Sequence, residues 1–306
     1  MGRLKLGVVI NTVENPQSGV APSWQEIEAA VTTAEQVGFD TVWVPDELQW
    51  EIEDWGGTRG WWEVVATVSA IAQATTTINV GTWVLSALHR NPGLTARVAE
   101  TIDEISGGRF ILGYGAGHAG RQGEAFGFPA EKIVGRYEEA LTIVTDLLTN
   151  GSSTFSGEFH TTVGQVLVPR GPRPGGIPLM LGGQGPRTMR LAVQHADIWS
   201  TYANGSSEAD TFVPLIERLT GICETHDRDP STLARSIGIF VRPSGTPDDA
   251  HTFTFGPPLG GTDDDILRGL ERFADIGATH LELAVPGDMA PAIERLSGVV
   301  EKAAAI

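Results

Sequence analysis

Ser106-Gly107-Gly108-Arg109-Phe110-Ile111-Leu112-Gly113-Tyr114-Gly115-Ala116-Gly117 joins a turn to a short apolar strand that ends in alternating glycines. A strand that sheds its side chains brings bare backbone close to something else. With Gly120, the tail spells Gly115-x-Gly117-x-x-Gly120, the dinucleotide fingerprint of an open Rossmann sheet. That fingerprint needs a helix directly after the glycines, then a second strand ending in an acidic residue about twenty positions on. Here Gln122–Lys132 reads as a loop, followed by a helical pattern over Arg136–Leu148, so a Rossmann fold is set aside.

Outward from this stretch, strand and helix patterns alternate along the whole chain. Apolar runs suited to strands buried on both faces lie at Leu4–Ile10, Thr41–Pro45, Ile78–Leu85, Phe110–Gly115, Ile177–Leu181, Ile198–Ser200, Ile237–Val241 and Leu281–Val285. Amphipathic stretches follow them at Trp24–Val37, Trp62–Thr75, Leu94–Ile105, Arg136–Leu148, Pro186–His195, Ala209–His226, Asp264–Ile276 and Pro291–Ala304. Gly38, Gly107-Gly108 and Gly277 stand where helices should stop. Eight such units in 306 residues predict an α/β fold, a (β/α)8 TIM barrel occupying residues 1–306 as one domain. Two small insertions fall outside the repeat. Gly151–Pro169, after strand four, reads as a hairpin (Ser153–Ser156, then Glu158–Val163), and Pro243–Gly261, after strand seven, is rich in proline and glycine.

Composition narrows the function. Apolar residues make up 41% of the chain, enough for one large core, and 21 Lys and Arg against 38 Asp and Glu give a net charge of −17. That balance argues against nucleic acid or an anionic membrane as partner, because both require a basic face. One cysteine, Cys223, makes an intramolecular disulfide impossible and fits a packed core thiol. The N-terminus runs into a strand pattern without a signal peptide, and no apolar run reaches membrane-span length, so a cytoplasmic protein is expected.

In a TIM barrel the chemistry gathers at the C-terminal ends of the strands. Those ends offer Asn11 and Thr12, then Asp46 and Glu47, then Ser86, His89 and Arg90, then Tyr114 and His118. Strand five ends Gly182-Gly183-Gln184-Gly185-Pro186-Arg187, where glycines and a proline open a helix whose free N–H groups can seat a phosphate. No His-x-His stands at any strand end, so a metal-dependent hydrolase is disfavoured and no metal is expected.

These residues resemble the bacterial luciferase-like group of flavin- and deazaflavin-dependent oxidoreductases. The resemblance runs through Gly38-Phe39-Asp40-Thr41-Val42-Trp43-Val44-Pro45-Asp46, Arg90-Asn91-Pro92, Asp103–Arg109 with Leu112-Gly113-x-Gly115-x-Gly117, Gly182-Gly183-x-Gly185-Pro186-Arg187 and Ala196-Asp197-x-Trp199. It implies a planar ring over the barrel mouth, approached closely by Gly115 and Gly117, with a phosphate tail near Gly183–Thr188. Asp46 would orient the ring by hydrogen bonding, and Thr82, Trp83, Leu85 and Tyr137 belong with Gly182–Arg187 to the implied cofactor set. In members that use the deazaflavin coenzyme F420, strand three bulges at a cis peptide not preceding proline; alignment of Gly81–Leu85 puts that bond at Thr82–Trp83.

The resemblance implies F420, with FMN as the alternative. Aldehyde- and alkane-oxidising members carry a histidine beside the strand-two acid, where this chain has Glu47. Sugar dehydrogenases of the group carry a glutamate in the strand-four loop, where this chain has His118. What remains is F420-dependent hydride transfer to or from a small-molecule substrate, with His118, Glu47 and His89 as candidate proton handlers. The alternatives are an FMN monooxygenase fed by a separate reductase, and a cofactor-binding barrel without turnover. His195 suits a helix-end role, and His160, His226, His251 and His280 read as solvated or structural. Trp50, Trp55, Trp61 and Trp62 share a loop with Glu51, Glu53 and Asp54, suiting either a substrate wall or the interface of a homodimer, an assembly frequent in the group.

Overall fold

In a computed structural model, residues 3–52, 57–118, 120–247, 250 and 256–306 are described. Glu53, Asp54, Trp55 and His251 therefore lie outside the described residues. Eight parallel strands form the barrel: β1 (Lys5–Val9), β2 (Thr41–Val44), β3 (Asn79–Thr82), β4 (Phe110–Gly115), β5 (Leu179–Gly182), β6 (Ile198–Tyr202), β7 (Ala234–Arg242) and β8 (His280–Ala284). Each pairs with its sequence neighbour, and Lys5 opposite His280 closes the ring between β1 and β8. All eight strands expected from the apolar runs are present, and the sheet is closed rather than doubly wound.

The helices are α1 (Trp24–Val37), α2 (Val64–Ala74), α3 (Pro92–Ser106), α4 (Gly120–Phe126), α5 (Ile133–Asn150), α6 (Pro186–His195), α7 (Val213–Thr225), α8 (Asp263–Asp275), α9 (Met289–Glu294) and α10 (Ser297–Ala303). Local chemistry sets their ends. Ser23 and Glu26 form a capping box on α1, Asn91 caps α3 with Pro92 behind it, and Gly38 and Gly107 stop those helices in the left-handed region. Most buried apolar side chains fill the shell between strands and helices, Cys223 among them. A smaller cluster of Trp43, Met180 and Ile198 fills the lumen, where the Trp43 ring occupies space that a Cβ on Gly7 or Gly81 would need.

Four local expectations change. The segment after β4 is not all loop, because Gly120–Phe126 is helical; the chain still closes as a barrel, so the Rossmann reading stays excluded. The segment after β2 forms a hairpin, Gln49–Ile52 against Gly57–Gly60. The expected single last helix breaks at Arg295–Leu296 into α9 and α10. Of the insertions, the hairpin pairs Ser152–Ser156 with Thr161–Val166, and Leu259–Gly260 adds a short parallel strand to the end of β7. The described part of the chain has no helix long and apolar enough to cross a membrane.

Candidate functional site at the barrel mouth

After β3 the chain leaves the ladder and rejoins β4 at Leu85–Ser86. The non-proline cis bond lies at Trp83–Val84, one residue later than expected. The reason is register: Thr82 still pairs with Val44, and the Trp83 N–H still donates to the Val44 carbonyl at 2.8 Å. Thr82 Oγ1 and Gly113 also exchange hydrogen bonds of 2.8 and 3.0 Å, which pins the start of the bulge to β4.

The alternating glycines make room for this bulge. A Cβ on Gly113 would stand 1.8 Å from the Thr82 carbonyl oxygen, on Gly115 2.7 Å from Val84 Cγ2, and on Gly117 2.1 Å from Ser86 Oγ. Gly115 and Gly117 thus seat the bulge, and Val84 lies over Gly115 and Gly182 at the mouth. Trp83 turns into the lumen against Gly238 and edge-on to Tyr202. Leu85 is buried, and Tyr137 is fully buried with its hydroxyl donating toward the Tyr114 carbonyl at 3.3 Å.

Asp46 is buried and saturated. Its carboxylate accepts from the Ser86 N–H at 2.8 Å and from both terminal nitrogens of Arg90, at 2.6 and 3.2 Å, with His89 Nδ1 3.2 Å away. Burial alone would raise its pKa, but His89 and Arg90 outweigh it and hold the acid below the usual carboxylate range. Arg90 reaches on to Glu63. Asp46 thus braces the end of β2 to the loop after β3. His89, behind this brace and stacked on Phe128 at 4.8 Å, does not join the other proton candidates.

Glu47 and His118 do meet. His118 Nε2 lies 3.2 and 3.1 Å from the two Glu47 carboxylate oxygens, joining the ends of β2 and β4 across the mouth. Glu47 is held by Trp50 Nε1–H at 2.8 Å and the Gln122 amide at 2.9 Å. Gln122, buried on α4, also accepts from the Leu48 N–H at 2.9 Å. The Trp50 ring meets the His118 ring edge-on at 5.9 Å and the Trp61 ring at 5.3 Å, so Trp50 flanks the pair and Trp61 packs on Trp50. The hydrogen bond to Glu47 raises the His118 pKa against the opposing effect of burial. Nothing in the sequence marked Gln122, because its part depends on α4 and the Gln49–Gly60 hairpin meeting in space.

At the end of β5, Gly183 has φ +149, and a Cβ there would stand 2.4 Å from Thr188 Oγ1, so the strand can fold onto α6 only through glycine. Gly185 begins α6 with no side-chain cap and Pro186 follows, leaving first-turn N–H groups to a ligand. The Gln184 amide turns back onto Thr201 Oγ1 at 2.8 Å, and Arg187 pairs with Glu138. Asn11 Oδ1 accepts from the Val13 N–H at 3.1 Å, within its own turn.

The acid–imidazole pair, the bulge and the uncapped helix share the C-terminal mouth, the face on which TIM barrels carry their active sites. The chain belongs to the luciferase-like monooxygenase family, whose sequence profile matches residues 4–305. It is 35% identical over 174 residues to a 5,10-methylenetetrahydromethanopterin reductase of Archaeoglobus fulgidus, a match covering 57% of this chain and 48% of that one. It thus aligns with about half the length of that relative. An F420-dependent glucose-6-phosphate dehydrogenase of Amycolatopsis mediterranei is 24% identical over 304 residues, covering 85% of this chain and 88% of the dehydrogenase. Among solved structures, an F420-dependent secondary alcohol dehydrogenase in complex with an F420–acetone adduct superposes with a TM-score of 0.80 at 18% identity, covering 98% and 99% of the two chains. The monooxygenase RslO1 from Streptomyces bottropensis gives 0.79 at 14%, covering 98% and 99%.

Proposed function

We propose that this protein is a coenzyme F420-dependent oxidoreductase that moves hydride to or from a small organic substrate, with Glu47 and His118 handling the accompanying proton. The observation that carries the reading is the Glu47–His118 contact at the mouth of a barrel of this family. The reductase and dehydrogenase relatives support F420 in particular. The donor set fits such a cofactor: Val84 and the bulge offer an apolar platform, and the uncapped start of α6 offers N–H groups to an anionic tail.

Bound there, the deazaflavin supplies a hydride carrier, and the protein positions the substrate and manages one proton. His118 Nε2 holds that proton between itself and Glu47, and its position at the mouth lets it reach a substrate oxygen. Trp50 and Gln122 fix the Glu47 carboxylate, which selects the imidazole orientation. Trp50 and Trp61 form the substrate wall, while Trp62, half-exposed outside the mouth, suits a subunit contact in a cytoplasmic homodimer. FMN could lie on the same platform, and that alternative requires a separate reductase.

The test is anaerobic turnover. Wild-type protein with F420 or its reduced form is offered secondary alcohols, sugar phosphates and their carbonyl counterparts while deazaflavin absorbance is followed. The reading expects absorbance change with at least one class and its loss in His118→Ala. Turnover only with reduced FMN and oxygen overturns it.

A further inference from the structure

Beside the mouth, one cleft gathers cationic and cationisable groups, of which Arg136 and His160 serve no function above. It encloses about 260 Å³ and is lined by Ala87–Asn91 of the loop after β3, by Pro129 and Arg136 at the start of α5, and by His160 at the tip of the Ser152–Val166 hairpin. From these residues we infer a binding site for a phosphate-type oxyanion.

His89 is 3% exposed, and its Nε2 is buried with no hydrogen-bond partner; His160 Nε2 is in the same condition. An unpaired buried ring nitrogen costs free energy unless a ligand supplies its partner. Arg136 places its guanidinium 4.5 Å over the Phe159 ring, and Nε donates to the Glu131 carbonyl at 3.1 Å. Its terminal nitrogens meet no carboxylate among the described residues, so the fork is free to take an oxyanion in two parallel bonds. Lys132, the N-cap of α5, makes no side-chain cap, so the positive end of the helix dipole adds to the same wall.

Three nearby carboxylates are already engaged. Glu139 accepts the N–H groups of Glu158, Phe159 and His160 at 2.7 to 2.9 Å, Glu158 pairs with Lys132, and Asp46 pairs with Arg90. They fix the hairpin tip and the strand-three loop without neutralising Arg136. The cleft exceeds what one inorganic phosphate fills, so it suits a phosphate carried on a larger molecule. Substrate and cofactor tail are the two sources of that chemistry.

The experiment is calorimetric titration of the whole protein with inorganic phosphate in phosphate-free buffer, using wild type, Arg136→Gln, His160→Gln and Arg187→Gln. The inference expects Arg136→Gln and His160→Gln each to weaken phosphate binding about tenfold, the value of one charge-assisted hydrogen bond, while Arg187→Gln reads out any phosphate held separately at the start of α6. Melting curves check that each variant is folded, and His160→Gln, at a hairpin tip, carries the test if Arg136→Gln does not fold. Absence of phosphate binding, or its loss in Arg187→Gln alone, overturns the inference. The source follows from titrating the same variants with F420, with the phosphate-free deazaflavin fragment and with a sugar phosphate. Weakening confined to F420 assigns the oxyanion to the cofactor, weakening confined to the sugar phosphate assigns it to the substrate, and indifference to all three overturns the site. Failure of F420 to bind wild type would refute the cofactor reading and leave the phosphate result standing.

Discussion

Glu282→Gln should remove a pH-dependent loss of stability that the barrel lumen builds in. Glu282 is about 1% exposed on β8, its Oε1 accepts from Ser236 Oγ at 2.9 Å, and the Trp43 indole N–H faces Oε2 out of hydrogen-bond geometry. Burial pushes its pKa from 4.5 up to about 8, with Ser236 and Trp43 opposing too weakly to restore it. A group whose folded pKa is raised contributes its stability fully below the unfolded pKa and loses it as pH rises through the folded one. From pH 4.5 to 8 the folded state therefore binds the extra proton, and stability falls with a limiting slope of about 1.4 kcal/mol per pH unit. Over that window the loss sums to about 5 kcal/mol. The amide introduced by the substitution keeps the shape and the acceptor for Ser236 but has no proton to lose. Urea denaturation of both proteins at several pH values from about 5 to 8 measures the difference directly. The variant should match wild type near the acid end of that range and gain on it steadily toward the alkaline end; parallel stability curves would refute the argument.

Other consequences follow from the same geometry. Asp46→Asn breaks a buried pair and leaves Arg90 with Glu63 alone, so a loss of about 3 kcal/mol is expected in denaturant unfolding, and a loss below about 1 kcal/mol would show that the brace is dispensable. Gly113→Ala places a methyl where the Thr82 carbonyl stands, a clash with backbone that should cost about 3 kcal/mol or prevent folding; an unchanged melting temperature would contradict the close approach. Glu47→Gln removes the leading cause of the raised His118 pKa, so the His118 titration followed by NMR, and the matching limb of the activity profile, should both move to lower pH. A titration that stays put would separate the two residues functionally.

The barrel was legible because its signals are local and repeated. Apolar runs of strand length alternate with amphipathic stretches, and Gly38 and Gly107 end helices as their conformational freedom demands. The meeting of Glu47 and His118 was legible in part, since both were placed at strand ends on one face of the barrel. Their distance was not, because it depends on Gln122 and Trp50 holding the carboxylate. At the glycine row the sequence shows that backbone is approached, and only the fold shows that the Thr82–Ser86 bulge approaches it. The bond from the Tyr137 hydroxyl to the Tyr114 carbonyl was not legible either, because it depends on how α5 packs on β4. The pairing of Gln49–Ile52 with Gly57–Gly60 lay hidden because the strands are four residues each and the second mixes polar residues with glycine, a pattern that a loop also satisfies.

Cofactor choice is the claim on which the rest turns. Parallel titration of the purified, cofactor-free protein with F420 and with FMN, followed by tryptophan fluorescence quenching, tests it most directly. The account predicts saturable F420 binding that is tighter than FMN binding. Tighter binding of FMN, or binding of neither, would contradict it.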